Sequence, residues 1–177
     1  TLEVGPIVPG VKDDSSDLFL GVAADSQDHL LVVGRKSGSW GGGDYYHSVM
    51  AIRKYSPQGE LVWSDGGERT FFNGPWGQAN SVAVDASDNV IVGGSSFGNW
   101  STEEWKWTIL KYTPDGKLAD GFPVHFNDSR RSGYPDMCFG IAVDAQGGIC
   151  AVGCVGLWDG NRDWRVRKLQ PNGSLAW

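Results

Sequence analysis

The feature that most constrains this chain is internal: one pattern of residues is spelled three times. Gly21-Val-Ala-Ala-Asp25, Ser81-Val-Ala-Val-Asp85 and Gly140-Ile-Ala-Val-Asp144 align. Each leads through a short polar turn into a second apolar run, at 30–34, 90–94 and 149–153. A Gly-x-Trp follows, at Gly38 and Trp40, Gly98 and Trp100, and Gly156 and Trp158. A third run then ends in a turn, over 52–59, 109–116 and 166–173, and Pro57, Pro114 and Pro171 fall 57 residues apart both times. A period of this kind means one supersecondary unit used three times, each copy needing a neighbour to bury its faces.

Each unit reads as four strands, A to D, with the fourth opening at Leu61, Leu118 and Leu175. Strands A and B are joined by 85–89 and its equivalents, a length that suits a hairpin built on a type I turn. Strands C and D are joined by Pro-x-Gly, where proline presets the first turn dihedral and glycine supplies positive φ. The 26 glycines and 9 tryptophans, with almost no helical periodicity, fit the same all-β reading. Four-stranded antiparallel units repeating at this period are β-propeller blades, and a β-sandwich is the alternative fold. The chain is thus expected to hold three blades, about 17–75, 76–133 and 134–177. Residues 1–8, whose Gly5-Pro6 resembles Gly74-Pro75, are expected to complete an outer strand.

The run Trp107-Thr-Ile-Leu-Lys-Tyr-Thr-Pro-Asp-Gly116 is similar to the third-strand signature of bacterial β-propeller repeats of the SBBP type, as are 72–75 and 81–94. The resemblance extends from about Asp17 to Trp177. It implies a propeller, a secreted or cell-surface location, and no catalytic motif. The tryptophan-rich connections of this chain are longer than that pattern.

A propeller closes with roughly 4–8 blades. Three blades leave two open ends, so either the chain is a fragment of a longer propeller or two copies close a six-bladed ring. A head-to-tail homodimer is the expected partner arrangement. Net charge is −6, with no basic stripe to displace phosphate counterions, so nucleic acid is not an expected partner. No apolar run reaches membrane-spanning length, and membrane insertion is not expected. Cys138, Cys150 and Cys154 are odd in number and confined to one third, which favours small buried core residues over a disulfide framework. If 142 faces 150 across the third A–B hairpin, Cys138 faces Cys154.

The A–B and C–D turns are read as tight, and the B–C (35–47, 95–105, 155–163) and D–A (64–80, 119–137) connections as long. Antiparallel order puts the latter at one end, which becomes the candidate binding face. Its aromatic and polar residues are Trp40, Trp100, Trp158, Trp76, Tyr46, Trp105, Asn99, Asp159 and Asn161. Ring faces that stack on C–H surfaces, beside amides and carboxylates, suit a glycan ligand. A tryptophan recurring once per blade serves equally as a packing wedge. Trp107 and Trp164 are assigned to the core of strand C. Asp25, Asp85 and Asp144 are read as Asx caps of their turns rather than metal ligands, and Lys54, Lys111 and Lys168 as solvated charges or partners of carboxylates in an adjacent blade.

No hydrolase, zinc, phosphate-loop or dinucleotide motif is present, and no metal or cofactor is expected. Residues that break the repeat are Glu103, Glu104, His125, Asp128, Arg130, Arg131 and Asp136, while His29 and His47 stand apart. The first reading is a non-catalytic binding or assembly module, with carbohydrate as candidate ligand. The alternatives are a glycosidase or lyase using the acidic loop residues, and a purely structural repeat unit.

Overall fold

The computed structural model describes residues 17–39, 46–63, 67–98, 105–128, 136–157 and 161–177. These residues form eleven β-strands and no helix. The first sheet holds β1 (Leu18–Ala24), β2 (Leu30–Ser39), β3 (Tyr46–Tyr55) and β4 (Glu68–Phe71), hydrogen-bonded in that order. The second holds β5 (Trp76–Val84), β6 (Val90–Phe97), β7 (Trp105–Tyr112) and β8 (Val124–Phe126). The third holds β9 (Met137–Val143), β10 (Ile149–Gly156) and β11 (Arg162–Leu169). Every pairing is antiparallel. No described helix is long and apolar enough to span a membrane.

The hairpins form as the turn residues require. Asp25 Oδ1 accepts from the backbone N–H of Gln27 and His29, Asp85 Oδ1 from Ser87 and Asn89, and Asp144 Oδ1 from Gln146 and Gly148. The left-handed positions of these turns are Asp28, Asp88 and Gly147. The aspartates are therefore the turn caps that the sequence predicts. Gly59, Gly116 and Gly173 supply positive φ in the C–D turns.

One bulge recurs in all three A–B pairings, leaving Leu20, Asn80 and Phe139 as the extra residue. It forces glycine on the facing strand: a Cβ on Gly34, Gly94 or Gly153 would lie 1.8, 2.1 or 1.9 Å from a backbone carbonyl oxygen. A bulge adds one residue against its partner strand and shifts everything beyond it. The expected Cys138–Cys154 facing pair is corrected for that reason. Ala142 does face Cys150, but Cys138 faces Gly153 and Met137 faces Cys154. All three thiols are free; Cys138 and Cys154 are buried, whereas Cys150 is half-exposed.

The connections also differ from expectation. Leu61, Leu118 and Leu175 make isolated bridges to Tyr55, Tyr112 and Leu169 rather than opening the fourth strand. Strand D proper begins at Glu68 and Val124. Segments 56–67 and 113–123 therefore lie between strands C and D, and the first D–A link shrinks to 72–75. The B–C links shrink to 40–45, 98–104 and 157–161, because the flanking strands run on. The C–D turns themselves are tight as expected, with Ser56, Thr113 and Gln170 N–H donating to the Glu60, Lys117 and Ser174 carbonyls, and the extra length falls after the leucine bridges, before strand D resumes. The expected outer strand from residues 1–8 lies outside the described residues.

The three sheets stack through two cores. Leu31, Val33, Met50, Ile52 and Trp63 of the first sheet pack on Ala79, Val82, Val90, Val92, Leu110 and Tyr112 of the second. Ile91, Trp107, Ile109 and Phe122 of the second pack on Cys138, Ile149, Ala151 and Leu169 of the third. Alternation along β6 and β7 sends successive side chains to opposite cores, so β6 is buried at every position.

Candidate functional site

The chemistry of this chain lies in how one sheet grips the next. Lys54 Nζ sits 2.8 Å from Asp25 Oδ2 of its own sheet and reaches the Pro114 carbonyl of the second. Lys111 repeats this with Asp85 (3.0 Å) and the Pro171 carbonyl of the third. Lys168 pairs with Asp144. These lysines are paired within their own sheet, and Lys54 and Lys111 are buried, which corrects the expectation of solvated charges. Burial opposes ionisation of Asp25 and Asp85, yet the lysine and turn hydrogen bonds hold both carboxyls below the ordinary range.

Further contacts complete each grip. Trp63 donates from Nε1 to the Pro114 carbonyl (3.0 Å) and lies against the Tyr112 ring. Arg69 Nε donates to Gly116 O (2.7 Å) with its guanidinium over Trp63. At the second junction Trp107 Nε1 donates to Cys154 O (2.9 Å), and Arg167 of the third sheet lies over Phe126 and pairs with Asp128.

The outermost faces carry the same positions without a neighbour. Register aligns Met50, Trp107 and Trp164, each opposite the corresponding β2, β6 or β10 residue. Met50 and Trp107 are 0% and 1% exposed, but Trp164 is 80% exposed. The core assignment of Trp164 is thereby corrected: nothing described lies over the third sheet. Trp63 is 4% exposed and its sequence counterpart Trp177 is 67% exposed. The other face of the first sheet mirrors this. Val90 and Ile149 are fully buried and their counterpart Leu30 is 44% exposed; Val82 is 8% exposed and Val22 is 66%.

Of the residues expected to bind glycan, Trp40, Trp100, Trp158, Asn99 and Asp159 lie outside the described residues, as does the Tyr46 side chain. Trp76 and Trp105 flank Phe97 in register across β5, β6 and β7, with Phe97 and Trp105 ring centroids 5.4 Å apart. Trp76 is exposed and Phe97 buried. Asn161 sits at the mouth of the β10–β11 link, its carbonyl accepting from Leu157 N–H. The structure thus joins Trp76 and Trp105 into one aromatic row and leaves Asn161 on another sheet.

Of the acid–arginine candidates for catalysis, Asp136 serves the backbone and Asp128 an ion pair. Asp136 is fully buried and accepts from Asp128 N–H (2.7 Å) and Gly156 N–H (3.0 Å). The Asp128 carboxylate is engaged by Arg167. His125 contacts Thr108 Oγ1 (3.1 Å), and burial with the Lys106 charge pushes its pKa down. His29 pairs with Asp25, and His47 lies edge-on to Phe72. Glu103, Glu104, Arg130 and Arg131 lie outside the described residues. Among the described residues no group of three acids, histidines or cysteines is placed to hold a metal. No family model and no curated protein matches this chain.

Proposed function

We propose that the chain is a non-catalytic β-propeller module, its sheets being blades, and that it works by assembly and binding. The observation that carries this reading is the repeated junction. At both junctions one face of a sheet carries its Lys–Asp pair forward to a turn-proline carbonyl on the opposite face of the next sheet, with Trp63 donating to that same carbonyl at the first junction and Trp107 to the Cys154 carbonyl of β10 at the second. A junction that uses two different faces propagates around an axis, as propeller blades do. The SBBP-type resemblance of the repeats supports the same architecture. Asp128 and Asp136, two of the acids that break the repeat, are engaged by Arg167 and by backbone N–H groups, which favours binding over catalysis. The Trp76–Phe97–Trp105 row is where such a module would present an aromatic platform to a ligand.

Amide exchange tests the stack. Leu30→Asp places a charge on the exposed face of the first sheet and bars a further sheet from it. In that variant β6 and β7 should exchange slowest, near the global unfolding limit, and β1 and β11 faster through local opening. Equal protection across all three sheets would sink the reading.

A further inference from the structure

We infer that a second copy of this chain covers the exposed outer faces, its first sheet seated on the third sheet of its partner, so that two copies close a ring of six sheets. The inference rests on the blade reading. It goes further by naming the occupant from the two faces themselves. The exposed face of the third sheet carries Cys150, Val152, Trp164, Val166 and Lys168. Their counterparts in the second sheet are Ile91, Gly93, Trp107, Ile109 and Lys111, which the third sheet covers. The exposed face of the first sheet carries Val22, Leu30, Val32 and Tyr55. Their counterparts are Val82, Val90, Val92 and Tyr112, which the first sheet itself covers. The two free faces are therefore the two halves of a junction the chain already makes twice.

Superposing that junction names its atoms. Lys54 and Lys111 reach the carbonyls of Pro114 and Pro171. Lys168 is next in the series, and Pro57 of the second copy is the remaining turn proline. Trp107 donates to the carbonyl of Cys154, which pairs with Trp164 in register as Arg35 pairs with Met50. Trp164 accordingly points to the carbonyl of Arg35 in the second copy. Trp177, the counterpart of Trp63, points to Pro57 and Tyr55 there, as Trp63 meets Pro114 and Tyr112. Both junctions within the chain join unlike faces. Two three-sheet chains make six sheets, within the roughly 4–8 at which such rings close. A head-to-tail contact that closes stops at two copies, whereas one that does not grows into a filament.

Solution mass across a dilution series, with two face variants, tests this. Wild type should reach twice the 19.1 kDa chain mass and stop. Val166→Asp breaks the exposed face of the third sheet and Leu30→Asp that of the first. Both positions are exposed, so the chain should fold in either variant. Each variant alone should run at the single-chain mass, because both junctions of the ring are lost. An equimolar mixture should recover the double mass, since one junction pairs two intact faces. If Val166→Asp or Leu30→Asp alone stays at double mass, like faces are pairing and the inference is overturned. Growth beyond two copies overturns the closed ring. A wild-type monomer that keeps the exchange gradient described above overturns the second copy alone and assigns the free faces to other sheets. A monomer without that gradient overturns the blade reading as well.

Discussion

The second and third sheets set Trp107 and Trp164, Ile109 and Val166, and Lys111 and Lys168 at equivalent register positions, yet differ in what lies over them. Trp107 is sealed beneath the third sheet with its indole N–H on the Cys154 carbonyl, whereas Trp164 stands open. Ile109 is fully buried, and its counterpart Val166 is exposed. The difference teaches that these strands are not amphipathic in the usual one-faced sense. Both faces are built for burial, and the number of neighbours decides how much of each is used.

The largest effect that separates the two sheets is truncation of the anchor. Trp107→Ala removes a fully buried indole and its hydrogen bond, and should cost about 3–5 kcal/mol in urea unfolding. Trp164→Ala in the Leu30→Asp background, where the free face has no partner sheet, should stay within about 0.5 kcal/mol. Equal losses would mean that Trp164 is buried in the single chain and that the two faces are not distinct.

The all-β, antiparallel character was legible because its signals are local. Recurring apolar runs marked the strands, and Asp and Pro-x-Gly marked the turns between them. The expected Asx caps at Asp25, Asp85 and Asp144 are present atom for atom. What was not legible depends on neighbours in space. Trp107 and Trp164 occupy one position in the repeat, and no pattern along the chain says which has a sheet above it. The bulge at Leu20, Asn80 and Phe139 is set by backbone pairing, with Gly34, Gly94 and Gly153 as its only trace. That shift moved Cys138 away from Cys154. Most of the candidate glycan-site residues lie outside the described residues, and the chemistry that recurs between sheets sits instead in the lysines and tryptophans of strand C. Their constant spacing was the signal that pointed there.

The lysines give the next effect in size. Lys54 and Asp25 are both almost fully buried, so Lys54→Met leaves the Asp25 carboxylate only His29 and its turn N–H donors and should cost about 3 kcal/mol. Lys168 and Asp144 are more exposed, and Lys168→Met should lose clearly less. Acid sharpens the contrast. Asp25 and Asp85 have folded pKa values depressed below the ordinary carboxylate value of about 3.9. Their stabilisation is full above that value and is lost as pH falls through the folded values. Acid unfolding of the wild type should therefore begin below about pH 4. In Lys54→Met the chief ionic partner of Asp25 is gone, its folded pKa rises, and the acid limb should move to higher pH. An unmoved limb would show that Lys54 does not set the Asp25 charge.

Thiol labelling reads the smallest effect and the most local one. Leu31 and Ile91 are fully buried at the position that Cys150 occupies in the third sheet. Cys150 is half-exposed, 3.3 Å from Lys168 Nζ. Burial pushes the Cys138 thiol up to about 12 and raises that of Cys154, so neither supplies thiolate at neutral pH. One thiol per native chain should therefore react with an aromatic disulfide reagent, and the other two only on unfolding. A second copy seated on the third sheet would cover Cys150 as the third sheet covers Ile91. Its labelling rate should then fall as protein concentration rises, and should be independent of concentration in Leu30→Asp. A concentration-independent rate in the wild type would separate Cys150 from the junction. Equal reaction of all three thiols would show that the second core does not close around Cys138.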